Sequence, residues 1–289
     1  MLSLYISIVL DVFVVAAFAY AGTLVAWKLY ERQPDLTIEN AHLRAKHLYV
    51  VIAMGVPVFA LIARKEYFRR IYWNLPYWVD YYFHSFPMWT ILGIFGYLFG
   101  FATALAYKSG FERKAMLVRI SVIFTLTILG LHVAQVYPAY ASIGVKTDKY
   151  GNILQSSGVS CAAASGANIA KFYNNTVTEK EMAGLMGTYY FMGTSDSYIH
   201  YGMAKIGLDC QRRTSANSDI TEIAPPAILF IDDSSAGPEG HAVAFMEMKE
   251  KAVIIDPLLG VRRLGNAELS KAWHGKAMEC VKKASERQT

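Results

Sequence analysis

Three side chains in the second half of the sequence have the types and settings for nucleophilic chemistry. Cys161 opens the small-residue run Cys161-Ala-Ala-Ala-Ser-Gly-Ala-Asn-Ile-Ala170, a predicted helix with Ser160 at its N-cap. A thiol there feels the positive end of the helix dipole, which favours the thiolate. The free N–H groups of the first turn suit an attack that creates an oxyanion. On its own, a buried structural cysteine would give the same pattern. His241 follows a Gly-rich stretch and opens a predicted strand, and Asp256 ends the next one, Ala252-Val253-Ile254-Ile255-Asp256, before Pro257. A tight hairpin centred between Met248 and Lys249 would set His241 directly opposite Asp256, with side chains ~4.5–5.5 Å apart at Cβ on one face. A carboxylate could then orient the imidazole while the other ring nitrogen serves the thiol. Without that hairpin, the pair is a strand-end histidine and a turn aspartate. Gln155, upstream of Cys161, carries an amide able to donate to the same oxyanion.

The elements that must hold these groups are legible in outline. Residues 160–173, 178–187 and 194–206 read as helices, and 226–231, 241–248 and 252–256 as strands. Asp232 to Gly240 reads as a flexible loop, and Ala267–Trp273 as a closing helix. Helices followed by strands predict an α+β domain.

Taken together, Gln155-Ser-Ser-Gly-Val-Ser-Cys161-Ala-Ala-Ala is similar to the Gln-x5-Cys-Gly-x-Ala motif of the C39 (double-glycine, bacteriocin-processing) cysteine peptidases. Ile169–Tyr173, Gly193-Thr194-Ser195, Met203–Leu208, Pro226–Leu229, Gly240-His241, Ile255–Gly260 and Leu269–Trp273 continue the resemblance in order over roughly residues 150–280. The resemblance implies a papain-like peptidase fold, with Cys161 as nucleophile, His241 as base, Asp256 as orienter and Gln155 in the oxyanion hole. It implies a peptide or protein substrate, membrane-bound or exported, and a double-glycine-like cleavage site. This sequence departs from the pattern at Ala162, where the family usually has glycine. Many relatives fuse the peptidase to a transporter ATPase, whereas no GxxxxGK[ST] phosphate loop occurs here. A separate transporter is therefore a candidate partner.

The first half is a different material. Hydrophobic residues make up 54% of the chain and charged residues 18%, and the apolar excess lies before about residue 142. Four segments approach the ~20 apolar residues that cross a bilayer: Leu2–Trp27, Leu48–Ala63, Phe86–Tyr107 and Ile120–Tyr140. No basic residue precedes the first and no small-residue cleavage site follows it, which argues against a removable signal peptide. The expected architecture is a four-helix all-α transmembrane domain over 1–142, in contact with membrane lipid, and the peptidase domain over 143–289. Arg64 to Phe83, rich in Tyr and Trp, reads as an interfacial helix pair broken at Pro76. Asp11 and His132 fall at similar depth in their helices and are candidates for a buried pair.

Four crossings put both termini on one side. The first and third loops carry eight basic residues (Lys28, Arg32, Arg44, Lys46, Lys108, Arg113, Lys114, Arg119) against six on the other side. Positive-inside reasoning then predicts a multi-pass protein of the cytoplasmic membrane with the peptidase domain extracytoplasmic. The net charge of +5 is scattered in clusters flanking apolar segments, which speaks against nucleic acid. Three cysteines make no disulfide framework: they leave one free thiol and at most one bridge, with Cys210 and Cys280 read as small buried residues. No zinc-ligand spacing occurs and no cofactor is expected. Two other functions fit the same residues, a catalytically inactive peptide receptor and a thiol acyltransferase.

Overall fold

The computed structural model of the protein describes residues 2–53, 55, 73–83, 86–112, 114–135, 137–190, 193–233 and 237–283. The chain divides into two compact units. One comprises Met1–Asn74 with Tyr82–Ala134, and the other Leu75–Tyr81 with Gln135–Thr289.

The first unit is helical: α1 (Leu2–Arg32), the short α2 (Ala41–Arg44), α4 (Phe86–Lys108) and α5 (Lys114–Gln135). Helix α3 (Tyr77–Phe83) begins in the other unit. Among the described residues, three helices are long and apolar enough to cross a membrane, at Ile8–Arg32, Trp89–Lys108 and Lys114–Leu131. The fourth expected span, Leu48–Ala63, falls mostly outside the described residues. Helices α1 and α4 touch backbone to backbone. A Cβ on Gly100 would lie 2.1 Å from the Ala19 carbonyl, and one on Gly22 2.2 Å from that of Tyr97. Gly96 and Gly100 form a GxxxG pair, whose lack of side chains permits this approach. Asp11 is buried and accepts a 2.9 Å hydrogen bond from Trp89 Nε1. Its proposed partner, the His132 side chain, lies outside the described residues.

The second unit carries α6 (Cys161–Phe172), α7 (Glu179–Met186) and α8 (Asp196–Ala204) ahead of a six-stranded sheet. The strands are β1 (Leu208–Thr214), β2 (Ala227–Asp233), β3 (Gly237–Met248), β4 (Ala252–Asp256), β5 (Gly260–Leu264) and β6 (Trp273–Lys282), in the order β1-β6-β2-β3-β4-β5, with antiparallel pairing throughout. Alanine and glycine let α6 sink into the domain, and all of Ala162–Ala170 is buried. A capping box of Thr178 and Glu181 starts α7, and Gly187, at φ 61°, ends it. The main core packs Leu229, Val243, Phe245, Ile254 and Trp273.

The three helices fall where the sequence places them. The sheet is larger than expected, because β1, β5 and β6 join the three predicted strands. The loop expected over Asp232–Gly240 is shorter, since Asp233 ends β2 and Gly237 opens β3. The closing helix is only α9 (Asn266–Leu269), and Trp273, expected at its end, instead begins β6. Cys210 and Cys280 stand directly opposite each other in β1 and β6 and form a disulfide across a Cα separation of 4.0 Å. They are thus a bridge rather than two buried thiols, and Cys161 is the free cysteine.

Candidate active site

Cys161 is the first residue of α6 and is partly exposed. Ser160 precedes it but does not cap the helix with its side chain. Its hydroxyl instead donates to the Ser157 carbonyl at 2.9 Å and accepts from the Ser157 N–H. The first turn of α6 therefore has no side-chain acceptor from its N-cap, and its N–H groups stay available to an outside anion.

His241 is 5% exposed and Asp256 3%. His241 Nε2 lies 3.0 Å from Asp256 Oδ1, within hydrogen-bond reach. The Cys161 side chain also favours charge on this ring. Burial is the largest single influence on the imidazole and disfavours its charge. The hydrogen bond to Asp256, with the attraction of Asp256 and Cys161, outweighs it and raises the pKa to about 9. Burial likewise opposes charge on Asp256. Hydrogen bonds from His241 and from the Leu258 and Leu259 N–H groups nevertheless hold its carboxyl below the usual range. The arrangement is a polarised thiol–imidazole–carboxylate row, and the chemistry open to it is nucleophilic attack with proton return.

The route by which the hairpin delivers this pair differs from the simple one. The turn spans Lys249–Lys251, with Met248 opposite Ala252 and Glu247 opposite Val253. Met246 is then skipped as a β-bulge, and Phe245 pairs with Ile254 and Ala244 with Ile255. Continuing that register puts Asp256 opposite Val243, so His241 is its diagonal neighbour on the same face rather than its direct partner.

Gln155 is buried, and its backbone N–H donates to the Pro257 carbonyl at 2.9 Å, beside Asp256. Its Nε2 donates to Ser157 O at 3.0 Å, which leaves one amide hydrogen uncommitted. Four residues that sequence reading passed over support the row. Ser165, one turn past Cys161, donates to the Ala242 carbonyl at 3.0 Å and pins α6 to the strand that carries His241. Asn168 clamps the segment before Gln155, accepting from Ile153 N at 2.9 Å and donating to its carbonyl at 2.7 Å. Glu179, 2% exposed, accepts from Ser156 N at 2.9 Å. Arg262 brings a guanidinium nitrogen 3.7 Å from Asp256 Oδ2. Helical spacing from Cys161 is the signal that points to Ser165. The other three depend on loop and hairpin geometry that the sequence does not expose. Among the described residues, no cluster of His, Cys, Asp and Glu could hold a metal ion.

The structure thus sets a thiol at the start of α6 and a His–Asp pair on the sheet. Residues 149–285 match the model of the Peptidase C39 family. Among solved structures, it is similar to a double glycine motif protease from an AMS/PCAT transporter, crystallised with the leader peptide. The TM-score is 0.40 at 18% identity, covering 49% of this chain and 93% of that one. The peptidase domain of Streptococcus ComA, a bifunctional ABC transporter, gives 0.39 at 19%, covering 45% and 96%. The N-terminal peptidase C39-like domain of the toxin secretion ATP-binding protein from Vibrio parahaemolyticus gives 0.34 at 11%, covering 43% and 97%. No curated protein sequence matches the chain significantly.

Proposed function

We propose that this protein is a membrane-anchored cysteine endopeptidase, and the observation that carries the reading is the convergence of Cys161, His241 and Asp256. The Cys161 sulfur, as thiolate, attacks the scissile carbonyl carbon and forms a C–S bond. The oxyanion takes hydrogen bonds from the Cys161 N–H and the spare Gln155 amide hydrogen. The His241 imidazolium gives a ring proton to the leaving nitrogen as the C–N bond breaks, leaving a thioester. Water then attacks the thioester while His241 takes its proton, which releases the acid and restores the thiolate–imidazolium pair. Asp256 keeps the ring oriented throughout. The match to the Peptidase C39 family supports a peptide substrate, and the double-glycine-like site is the family-based expectation for its sequence.

The test is cleavage by the full chain in detergent. A peptide with Gly-Gly before the scissile bond is expected to be cut, and the same peptide with Leu-Leu there is not. The pH profile is a second check on the chemistry. The imidazolium that protonates the leaving group is present below about 9 and lost as pH rises through that value. The rate is thus expected to fall on an alkaline limb near pH 9, rather than near the ordinary histidine value of 6.5. A limb near 6.5, or equal cutting of both peptides, would overturn the respective part of the reading.

The apolar helices anchor the enzyme, and its substrate is membrane-bound or exported. We further assign the peptidase unit to the extracytoplasmic side. The Cys210–Cys280 disulfide supports this, because such bridges persist in oxidising compartments and are rare in the cytosol. The basic-residue count in the loops agrees. Reporter fusions after Ser142 and within Lys108–Arg119 are expected to give opposite signals. A cytoplasmic signal after Ser142 refutes the assignment and leaves the peptidase reading standing.

A further inference from the structure

The chain enters the peptidase unit twice, once at Leu75–Tyr81 and again from Gln135. The first entry is a short segment, yet its side chains are deeply engaged. The Tyr77 ring stacks on His200 with centroids 4.1 Å apart at 7°, and the Arg212 guanidinium lies over it at 4.2 Å. The Tyr77 hydroxyl accepts from the Arg212 N–H at 2.6 Å. Arg212 also donates to the Leu75 carbonyl and to Asp196. Asp80 is 1% exposed and accepts from the hydroxyls of Ser195, at 3.1 Å, and Ser197. Tyr81 packs on Tyr198 and Tyr201 with centroids 4.7 and 4.5 Å away.

These contacts single out one face, made by α8 and β1, that receives an aromatic ring and, three residues on, a carboxylate. A carboxylate so deeply buried is costly unless it is fully hydrogen-bonded, so the seat is specific to that chemistry. The face is not the cleft. Strand β1 lies three places from β3 in the sheet, roughly 14 Å at ~4.8 Å per strand. It does reach the nucleophile through one connection. Ser195, which holds Asp80, ends a loop in which Tyr189 pairs with Gly193. The Tyr189 hydroxyl meets that of Tyr198 at 2.9 Å. Gly193 neighbours Val159: a Cβ on it would meet the Val159 carbonyl at 3.4 Å, ordinary van der Waals range, two residues before Cys161.

We propose that Leu75–Tyr81 is a docking strap, and that its seating on α8 and β1 holds Gly193–Ser195 against the segment that presents Cys161. The strap residues are positioning residues, and turnover depends on their being seated. The proposal rests on the peptidase reading for its kinetic consequence, but not for the docking itself.

The experiment uses the full chain with Tyr77→Ala and Asp80→Ala combined. Hydrogen exchange is expected to rise over 73–83 and over 188–204. For a short peptide, kcat is expected to fall about tenfold to a hundredfold with KM unchanged, the scale of a misplaced reacting group. Asp80→Asn, which keeps an acceptor for the two serines, is expected to retain most of the wild-type kcat. Raised exchange with unchanged kcat would make the strap a mere tether and overturn the proposal, as would a rise in kcat, the mark of an inhibitory segment. Unchanged exchange would overturn the docking. If wild type itself cleaves nothing, the peptidase reading has failed. The alkylation rate of Cys161 by iodoacetamide then decides: slower labelling with raised exchange supports the strap, and an unchanged rate refutes its reach to the nucleophile. Should the double variant not accumulate, Tyr77→Phe loses only the hydroxyl that meets Arg212. Exchange and kcat must then move together or the proposal falls.

Discussion

Cys161→Ala is expected to lower peptide cleavage by about 10⁴-fold or more, the scale at which triads lose function when the nucleophile goes. The substitution removes the one atom that bonds to the substrate. It leaves the fold alone, because the site is only partly buried and the helix behind it already consists of buried small residues. Labelling gives an independent measure. Cys210 and Cys280 are joined in a disulfide, so the native chain offers a single thiol to iodoacetamide. One label per chain is expected in the wild type and none in the variant. A Cys161→Ala protein that still cleaves at a tenth of the wild-type rate would remove Cys161 from the mechanism.

His241→Ala is expected to cost about 10³–10⁴-fold, since both the proton for the leaving nitrogen and the activation of the sulfur are lost. Asp256→Asn is expected to cost less. An amide can still accept from the Leu258 N–H, now 2.9 Å from the carboxylate, and keep the strand end in place. The two variants also differ in their pH behaviour. Asp256 helps raise the imidazole pKa, so its replacement by a neutral amide moves the alkaline limb to lower pH. His241→Ala removes that limb together with the rate. An Asp256→Asn enzyme with an unshifted limb would show that the carboxylate acts only as a fixture.

The candidate residues left clearer local marks in the sequence than much of the scaffold did, for physical reasons. Cys161 opens α6 and Asp256 closes β4, where Ser160 and Pro257 leave local marks, whereas His241 lies inside β3 and was placed by the glycine before it. Strand β1, Leu-Asp-Cys-Gln-Arg-Arg-Thr, is an edge strand. Its charges sit in solvent or beneath the strap, and they hide the apolar alternation that reveals a strand. Strand β6 is preceded by Asn266–Leu269 and Ser270-Lys-Ala, good helix formers that mask where pairing begins. The Tyr- and Trp-rich segment before α4 could not be resolved by composition. An aromatic that favours a lipid headgroup layer is the same residue that stacks on a protein. The choice for Tyr77 rests on partners as distant in sequence as Arg212, 135 residues away. The disulfide was hidden for the same reason, because only the β1–β6 pairing brings Cys210 and Cys280 together across 70 residues.

The bulge at Met246 turns the His–Asp pair into a question of odd and even. Between the turn and the site, β3 spends one more residue than β4. Were Met246 paired in sequence, Ala244 would stand opposite Asp256, and His241, an odd number of residues away, would point through the other side of the sheet. Skipping one residue restores even parity. The hairpin thus behaves as a counter with two settings. Lengthening the turn at Lys249–Lys251 leaves the setting untouched, while a single residue added between His241 and Phe245 reverses it. Removing Met246 itself yields an ordinary ladder with the same pairs and the same setting. Changes of length in this part of the chain are therefore sorted by where they fall and whether their count is odd, far more than by their size.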